Sequence, residues 1–185
     1  MAVMALATVS SFAQHRVGTV TIQPKVGLSL ANVTKGDGDI RVGAVAGAEF
    51  EYQVSDIFSL SAGALYSMQG CKGEVEGYDA TVKLDYLNIP ILANVYVAKG
   101  LAVKLGIQPG FNVTSKASVE KSGTKVTTDL DGIESVDFSI PVGLSYEINN
   151  FVIDGRYNLG VSKIWDDIDS KHSVFQFTLG YKFAL

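Results

Sequence analysis

Residues 42–54, Val42-Gly43-Ala44-Val45-Ala46-Gly47-Ala48-Glu49-Phe50-Glu51-Tyr52-Gln53-Val54, decide the fold. Every even position is apolar, whereas the odd ones are glycine, valine, glutamate or glutamine, continuing a row that begins at Arg41. A period of two means an extended strand with one apolar and one polar face. A strand of this kind must give its apolar face a dry environment.

The same alternation recurs along the chain. The first such segment, 21–31, sets Ile22, Pro24, Val26, Leu28 and Leu30 against Gln23, Lys25, Gly27 and Ser29. In 57–70 the apolar face is Phe58, Leu60, Ala62, Ala64, Tyr66 and Met68, and in 101–113 it is Leu101, Val103, Leu105, Ile107, Pro109, Phe111 and Val113. Segments 136–148, 151–161 and 175–185 follow the same rule. One further segment, 81–97, breaks phase: Val82, Leu84 and Tyr86 are apolar at even positions, then Leu87, Ile89, Ile91, Ala93, Val95 and Val97 at odd ones. One extra residue near Tyr86 and Leu87 accounts for that flip, because a bulge reverses the face of every later side chain.

Eight such strands and almost no helical pattern predict a single all-β domain, an eight-stranded antiparallel up-and-down barrel. The connections alternate in length. Ser55-Asp56, Ala98-Lys99-Gly100 and Asn149-Asn150 are tight turns, while 32–40, 71–80, 115–135 and 162–172 are long and polar. Short turns at one end and long loops at the other are the pattern of transmembrane barrels.

The barrel can be apolar inside, as in a soluble lipocalin-type carrier, or outside, as in a membrane. No position on the seven clear apolar faces is charged, although 18% of the chain is. A Lys or Arg at a lipid-facing midplane position costs about 2–4 kcal/mol, so such exclusion is expected in a membrane. A soluble barrel would share that exclusion, and length and aromatic placement separate the two. Twelve residues rising ~3.3 Å each at a tilt of ~40° give roughly 30 Å, the thickness of the hydrocarbon layer. Phe50, Tyr52, Phe58, Tyr66, Phe111, Phe138, Tyr146, Phe151, Tyr181 and Phe183 lie near segment ends, where interfacial girdles belong. Apolar side out is the better reading, with the chain in a bacterial outer membrane.

On that reading the opposite rows are sealed inside. Arg41, Glu49, Glu51, Lys104, Asp137, Glu147, Asp154, Arg156 and Lys182, of both signs, are the expected polar network of the lumen, with Lys25 on the same row. An eight-stranded interior is just wide enough for its own side chains, so a packed polar plug is favoured over a gated pore.

Composition narrows the function. The chain has 185 residues, 19 glycines and a mean hydropathy of +0.23, and its net charge of -4 with a pI near 5.1 gives no footprint for nucleic acid. Cys71 is the single cysteine, so no intrachain disulfide forms. Residues 1–13 are apolar and end Ser11-Phe12-Ala13, small residues flanking a larger one, which reads as a secretory signal cut after Ala13, without the usual basic start. The barrel domain then runs over 14–185.

Three other features invite chemistry. The loop Trp165-Asp166-Asp167-Ile168-Asp169-Ser170-Lys171-His172 joins acids to a histidine, but no serine nucleophile is identifiable for a hydrolase. The spacing of Asp166, Asp167 and Asp169 does not match a calcium loop although they offer a divalent cation ligands, and the plain reading is a solvated loop with Trp165 at the membrane surface. The segment 115–135 alternates on both sides of Ser122-Gly123-Thr124, a hairpin rising above the membrane that is either a capped rim, the favoured reading, or an edge open to β-addition by a partner. His15 and Cys71 have no metal-ligand spacing and read as incidental. No catalytic set, metal site or cofactor is expected.

Several short motifs, namely Phe12-Ala13-Gln14, Lys25-Val26-Gly27-Leu28-Ser29, Asp85-Tyr86-Leu87-Asn88-Ile89-Pro90 and Leu179-Gly180-Tyr181-Lys182-Phe183, resemble the PorT-like outer-membrane β-barrel proteins of Bacteroidota. The resemblance spans nearly the whole mature chain and implies an eight-stranded outer-membrane barrel, with some relatives acting in protein secretion. It supplies no functional residue set. The C-terminal aromatic is similar to the signal read by the barrel-assembly machinery, here followed by Ala184 and Leu185. Expected partners are outer-membrane lipid and lipopolysaccharide, that machinery during biogenesis, and a protein held by the loops. A soluble carrier, a small pore and a rim-site enzyme are the alternatives left open.

Overall fold

The computed structural model describes residues 15–33, 39–75, 78–121, 124–129, 135–161 and 172–185. The expected signal, residues 1–13, lies outside them. The strands are β1 (Val20–Val33), β2 (Asp39–Ser55), β3 (Phe58–Val75), β4 (Tyr78–Asn88), β5 (Ile91–Ala98), β6 (Leu101–Lys121), β7 (Thr124–Asp129), β8 (Val136–Ile148), β9 (Phe151–Gly160), β10 (His172–Tyr181) and β11 (Phe183–Ala184). All pairings are antiparallel, and β10 returns to pair with β1 from Lys25↔Gly180 to Val33↔His172, closing the sheet on itself.

These segments make eight walls. β4 and β5 hold one register against β3, shown by Leu65↔Asn88 and Ala62↔Ile91, and so form one wall through Ile89-Pro90. Proline has no N–H to give the ladder, yet the carbonyl of Pro90 still accepts from Gly63 N (3.1 Å) and Ile89 N donates to Pro109 O (2.8 Å). β11 likewise continues β10 past Lys182, and Leu185 N donates to Val20 O at 2.9 Å. β7 is an arm folded onto the far end of β6, from Lys121↔Thr124 to Lys116↔Asp129.

The apolar rows face outward. Val26, Leu144 and Phe177 are more than half exposed, whereas Lys25, Glu49 and Arg156 on the opposite rows are at most 3% exposed. This inversion of the usual globular pattern is what a hydrocarbon solvent requires. Backbone amides there can be satisfied only within a closed ladder, which the β1–β10 seam completes. Phe151, Tyr181 and Phe183 pack in sequence near the short-turn end, the first pair edge to face and the second tilted, with ring centroids 5.0 and 4.7 Å apart, at the height of an interfacial girdle. Two of the tight turns use left-handed residues, Gly100 (φ 76°) and Asn149 (φ 57°), as two-residue hairpins demand.

Two sequence expectations are corrected. The extra residue of the fourth wall does not lie near Tyr86 and Leu87, because β4 runs in constant register against β3 from Val75↔Tyr78 to Leu65↔Asn88. The irregularity is in β6, where Asp85↔Thr114 is followed by Tyr86↔Asn112 and Val113 is left over. Leu84 and Tyr86 therefore keep the phase of Asn88 and Leu92 and point inward, at 0% and 2% exposure. They belong to an apolar part of the interior with Val45 and Leu65, which alternation alone could not separate from the lipid face.

The long connection expected at 71–80 is the second correction: β3 and β4 continue through it as paired strands to Val75↔Tyr78. The mixed sequence Cys71-Lys72-Gly73-Glu74-Val75 still pairs because, beyond the membrane, no lipid demands an apolar face.

Candidate functional site

All nine residues expected in the lumen are buried there. The alternation that turns their neighbours to lipid turns them inward, and barrel closure decides which meet. Lys25 Nζ on β1 contacts Glu49 Oε2 on β2 at 2.7 Å and Asp154 Oδ2 on β9 at 3.7 Å. Lys104 Nζ on β6 reaches the same Asp154 oxygen at 2.8 Å. The Arg156 guanidinium lies between Glu49 and Asp154, at 3.0 and 3.1 Å. One cluster thus ties together four walls.

Toward the short-turn end a second cluster follows directly. Lys182 Nζ bridges Glu51 Oε2 at 3.0 Å and Glu147 Oε2 at 2.9 Å. Glu51 Oε1 also accepts from the Tyr96 hydroxyl at 2.5 Å and from Ser59 Oγ at 2.7 Å. His15 Nε2 lies 3.0 Å from Glu147 Oε1. The N-terminal segment is tied to the wall there by Gly18 N to Gln53 O and Gln53 N to Thr19 O, at 2.8 and 3.0 Å. His15, incidental in the sequence reading, is in place at the mouth of the lumen.

Lys25, Lys104, Arg156 and Lys182 balance Glu49, Glu51, Glu147 and Asp154, so the two clusters together are neutral. Balance matters because an isolated buried charge costs several kcal/mol, which pairing and added hydrogen bonds offset. The two remaining expected residues stand apart. Arg41 sits near the loop end, donating to the Gln69 carbonyl and 3.6 Å from Asp85 Oδ1, while Asp85 Oδ2 accepts from the Tyr66 hydroxyl at 2.9 Å. Asp137 lies among Gln69, Asn88, Gln108, Ser139 and Asn158.

Sequence reasoning missed Tyr96, Ser59 and Asp85 as members of these networks. The signal for Tyr96 is present in the chain: Leu92, Asn94 and Tyr96 alternate with Ile91, Ala93, Val95 and Val97, and only the second set can face lipid. Among the described residues no group of three or more His, Cys, Asp or Glu side chains is placed to hold a metal. The acid-rich loop at 162–171 lies outside the described residues.

At the other end the sheet rises beyond the barrel proper. β3, β4, β6 and β7 pair side by side, through Val75↔Tyr78, Asp79↔Glu120 and Lys121↔Thr124. The expected hairpin of 115–135 is present as β6 and β7, with its tip, 122–123, outside the described residues.

Comparison with known proteins agrees with this architecture. Residues 12–166 match the family described as Outer membrane protein beta-barrel domain. Ail, the attachment invasion locus protein of Yersinia pestis, solved in complex with the heparin analogue sucrose octasulfate, superposes with a TM-score of 0.54 at 20% identity, over 91% of this chain and 100% of that one. Neisserial surface protein A gives 0.53 at 16% identity, over 90% and 97% of the two chains. A major outer membrane protein from Thermus thermophilus gives 0.53 at 8%, over 89% and 99%. At these identities the likeness is one of fold. No curated protein matches the sequence. The chain belongs to the outer membrane protein beta-barrel domain family, and its place is the bacterial outer membrane. The soluble carrier is thereby set aside.

Proposed function

We propose that this outer-membrane β-barrel is a non-enzymatic integral scaffold whose lumen is closed to solutes and whose raised loop-end sheet engages a protein, lipid or surface ligand. The observation that carries the reading is the contact of Arg156 on β9 with Glu49 on β2 and Asp154 on β9, joined by Lys25 and Lys104, which places an ion-paired knot across the interior. An interior filled in this way has little room for a permeant solute. The extended strands β3, β4, β6 and β7 support the second half, since backbone pairing at a sheet edge is a general means of holding an extended segment.

Planar-bilayer recording of the purified barrel tests the closed lumen: no discrete conductance is expected, and stable single-channel steps would replace the scaffold reading with that of a small pore. A rim-site enzyme would need His172 to act with a loop acid. Any hydrolase or acyltransferase activity abolished by His172→Ala would establish that rival. The proposed lipid partners are the phospholipid and lipopolysaccharide around the outer face. The motifs Asp85-Tyr86-Leu87-Asn88-Ile89-Pro90 and Leu179-Gly180-Tyr181-Lys182-Phe183 support a closer kinship with the PorT-like proteins of Bacteroidota.

A further inference from the structure

On the loop-end side of the ionic cluster the lumen changes character. The inward row passes from Lys104 to Gln108 on β6 and from Arg156 to Asn158 on β9, so that amides replace charges. With Gln69 of β3, Asn88 of β4, and Asp137 and Ser139 of β8, these side chains line a small chamber. Asn88 Nδ2, Gln108 Oε1 and both Nδ2 and Oδ1 of Asn158 have no hydrogen-bond partner among the described residues, although the three residues are at most 3% exposed. Buried polar atoms are almost always hydrogen-bonded, so four such atoms on residues around one space call for an occupant.

Packing fixes what each amide offers. Gln108 Nε2 donates to Ser139 Oγ at 3.2 Å, and that hydroxyl donates back to the Gln108 carbonyl at 3.3 Å, which leaves Oε1 as an acceptor. The Asn88 amide lies over Gly110, where a Cβ would come within 2.6 Å of Oδ1, and its Nδ2 is left as a donor. Asn158 supplies one donor and one acceptor, whichever way its amide is turned. Beside the Asp137 carboxylate, which is already engaged within the protein, the unpartnered atoms of the lining are therefore two donors and two acceptors. That is the complement of a water molecule, whereas a bare cation would leave the donors unmet and an anion the acceptors. The room agrees: about 10 Å³ is open to the centre of a water, and one buried water needs about 10–15 Å³ on that measure.

We propose that this chamber is a buried hydration site, in which Asn88, Gln108 and Asn158 bind one long-lived water above the ionic cluster. The site does not depend on what the loops engage. Its occupant is a structural component of the lumen, supplying the hydrogen bonds that the β-ladder geometry denies to these three amides.

The test is water-selective NMR on the full barrel in nanodiscs. Bound water is expected to give NOE and ROE cross peaks of opposite sign to the Asn88 and Asn158 side-chain amides, whereas simple proton exchange gives the same sign. In Asn158→Leu, whose side chain fills the chamber, the peak at Asn88 should disappear. Absence of opposite-sign peaks in the unmodified protein would overturn the proposal, and so would survival of the Asn88 peak in Asn158→Leu. Should that variant not fold, the unmodified spectrum alone decides.

Discussion

Arg156 on β9 and Glu49 on β2 stand 107 residues apart in sequence, yet the guanidinium donates to the Glu49 carboxylate at 3.0 Å inside the lumen, with both side chains 2% exposed. The shorter way round the sheet from β2 to β9 runs through β1 and β10, so the pair spans the seam that closes the barrel.

Glu49→Ala should therefore leave Arg156 and Lys25 in cationic excess and destabilise the barrel by about 3–5 kcal/mol, the usual consequence of unpairing a buried charge. The double change Glu49→Leu, Lys25→Met should recover much of that loss, because it removes one charge of each sign and leaves Arg156 with Asp154. Urea unfolding in lipid vesicles measures both, and equal destabilisation by the single and double variants would show that charge is not the cause.

Leu144 is 55% exposed on the outer face, two residues from Val142 and Tyr146 on the same row. Leu144→Arg should lose about 2–4 kcal/mol if the site is near the bilayer midplane. The companion measurement is spin-label accessibility at Ile140 and Ser139 in bilayers, where oxygen should reach the first and not the second. Reversal of the two would turn the barrel inside out.

The position of the bulge can be trapped chemically. In a Cys71→Ser background, cysteines at Tyr86 and Asn112 should cross-link, since those residues are direct partners. A pair at Tyr86 and Val113 should not, because Val113 is left over in β6 and is 52% exposed. Cross-linking of the second pair alone would move the extra residue to β4.

Lys182 is the sole lysine bridging Glu51 and Glu147 among the described residues. Lys182→Ala is expected to cost about 3–5 kcal/mol by leaving two carboxylates facing one another. His15→Ala should cost about 1 kcal/mol or less, since Glu147 keeps its lysine and the removed bond is a single partly buried one. Thermal unfolding of the two variants side by side gives the ranking, and the opposite order would make His15 the anchor of that mouth.

How much of this was legible in the chain depends on the solvent each side chain meets. Rows such as Phe138, Ile140, Val142 and Leu144 announce their face because hydrocarbon tolerates no charge, and the inward placement of Lys104 or Asp154 follows by alternation. Leu84 and Tyr86 defeat the same logic, since a lumen accepts apolar residues where lipid refuses polar ones. Which carboxylate meets which cation was not legible. Those contacts depend on stagger between strands distant in sequence, and Tyr96 with Glu51, or Lys104 with Asp154, meet only once the stagger is set. Nor does any local pattern announce that His15 folds back to Glu147.

The seam between β1 and β10 with β11 has a consequence for how the protein reaches its final state. Strands far apart in the chain are partners there, Thr21 opposite Ala184 and Lys25 opposite Gly180. Until they meet, both carry a row of unanswered amides and carbonyls, each costing several kcal/mol in hydrocarbon. A half-built cylinder therefore has no comfortable resting place in the bilayer. Insertion and latching are thus coupled, since the two open borders can rest in water or against each other but not in lipid.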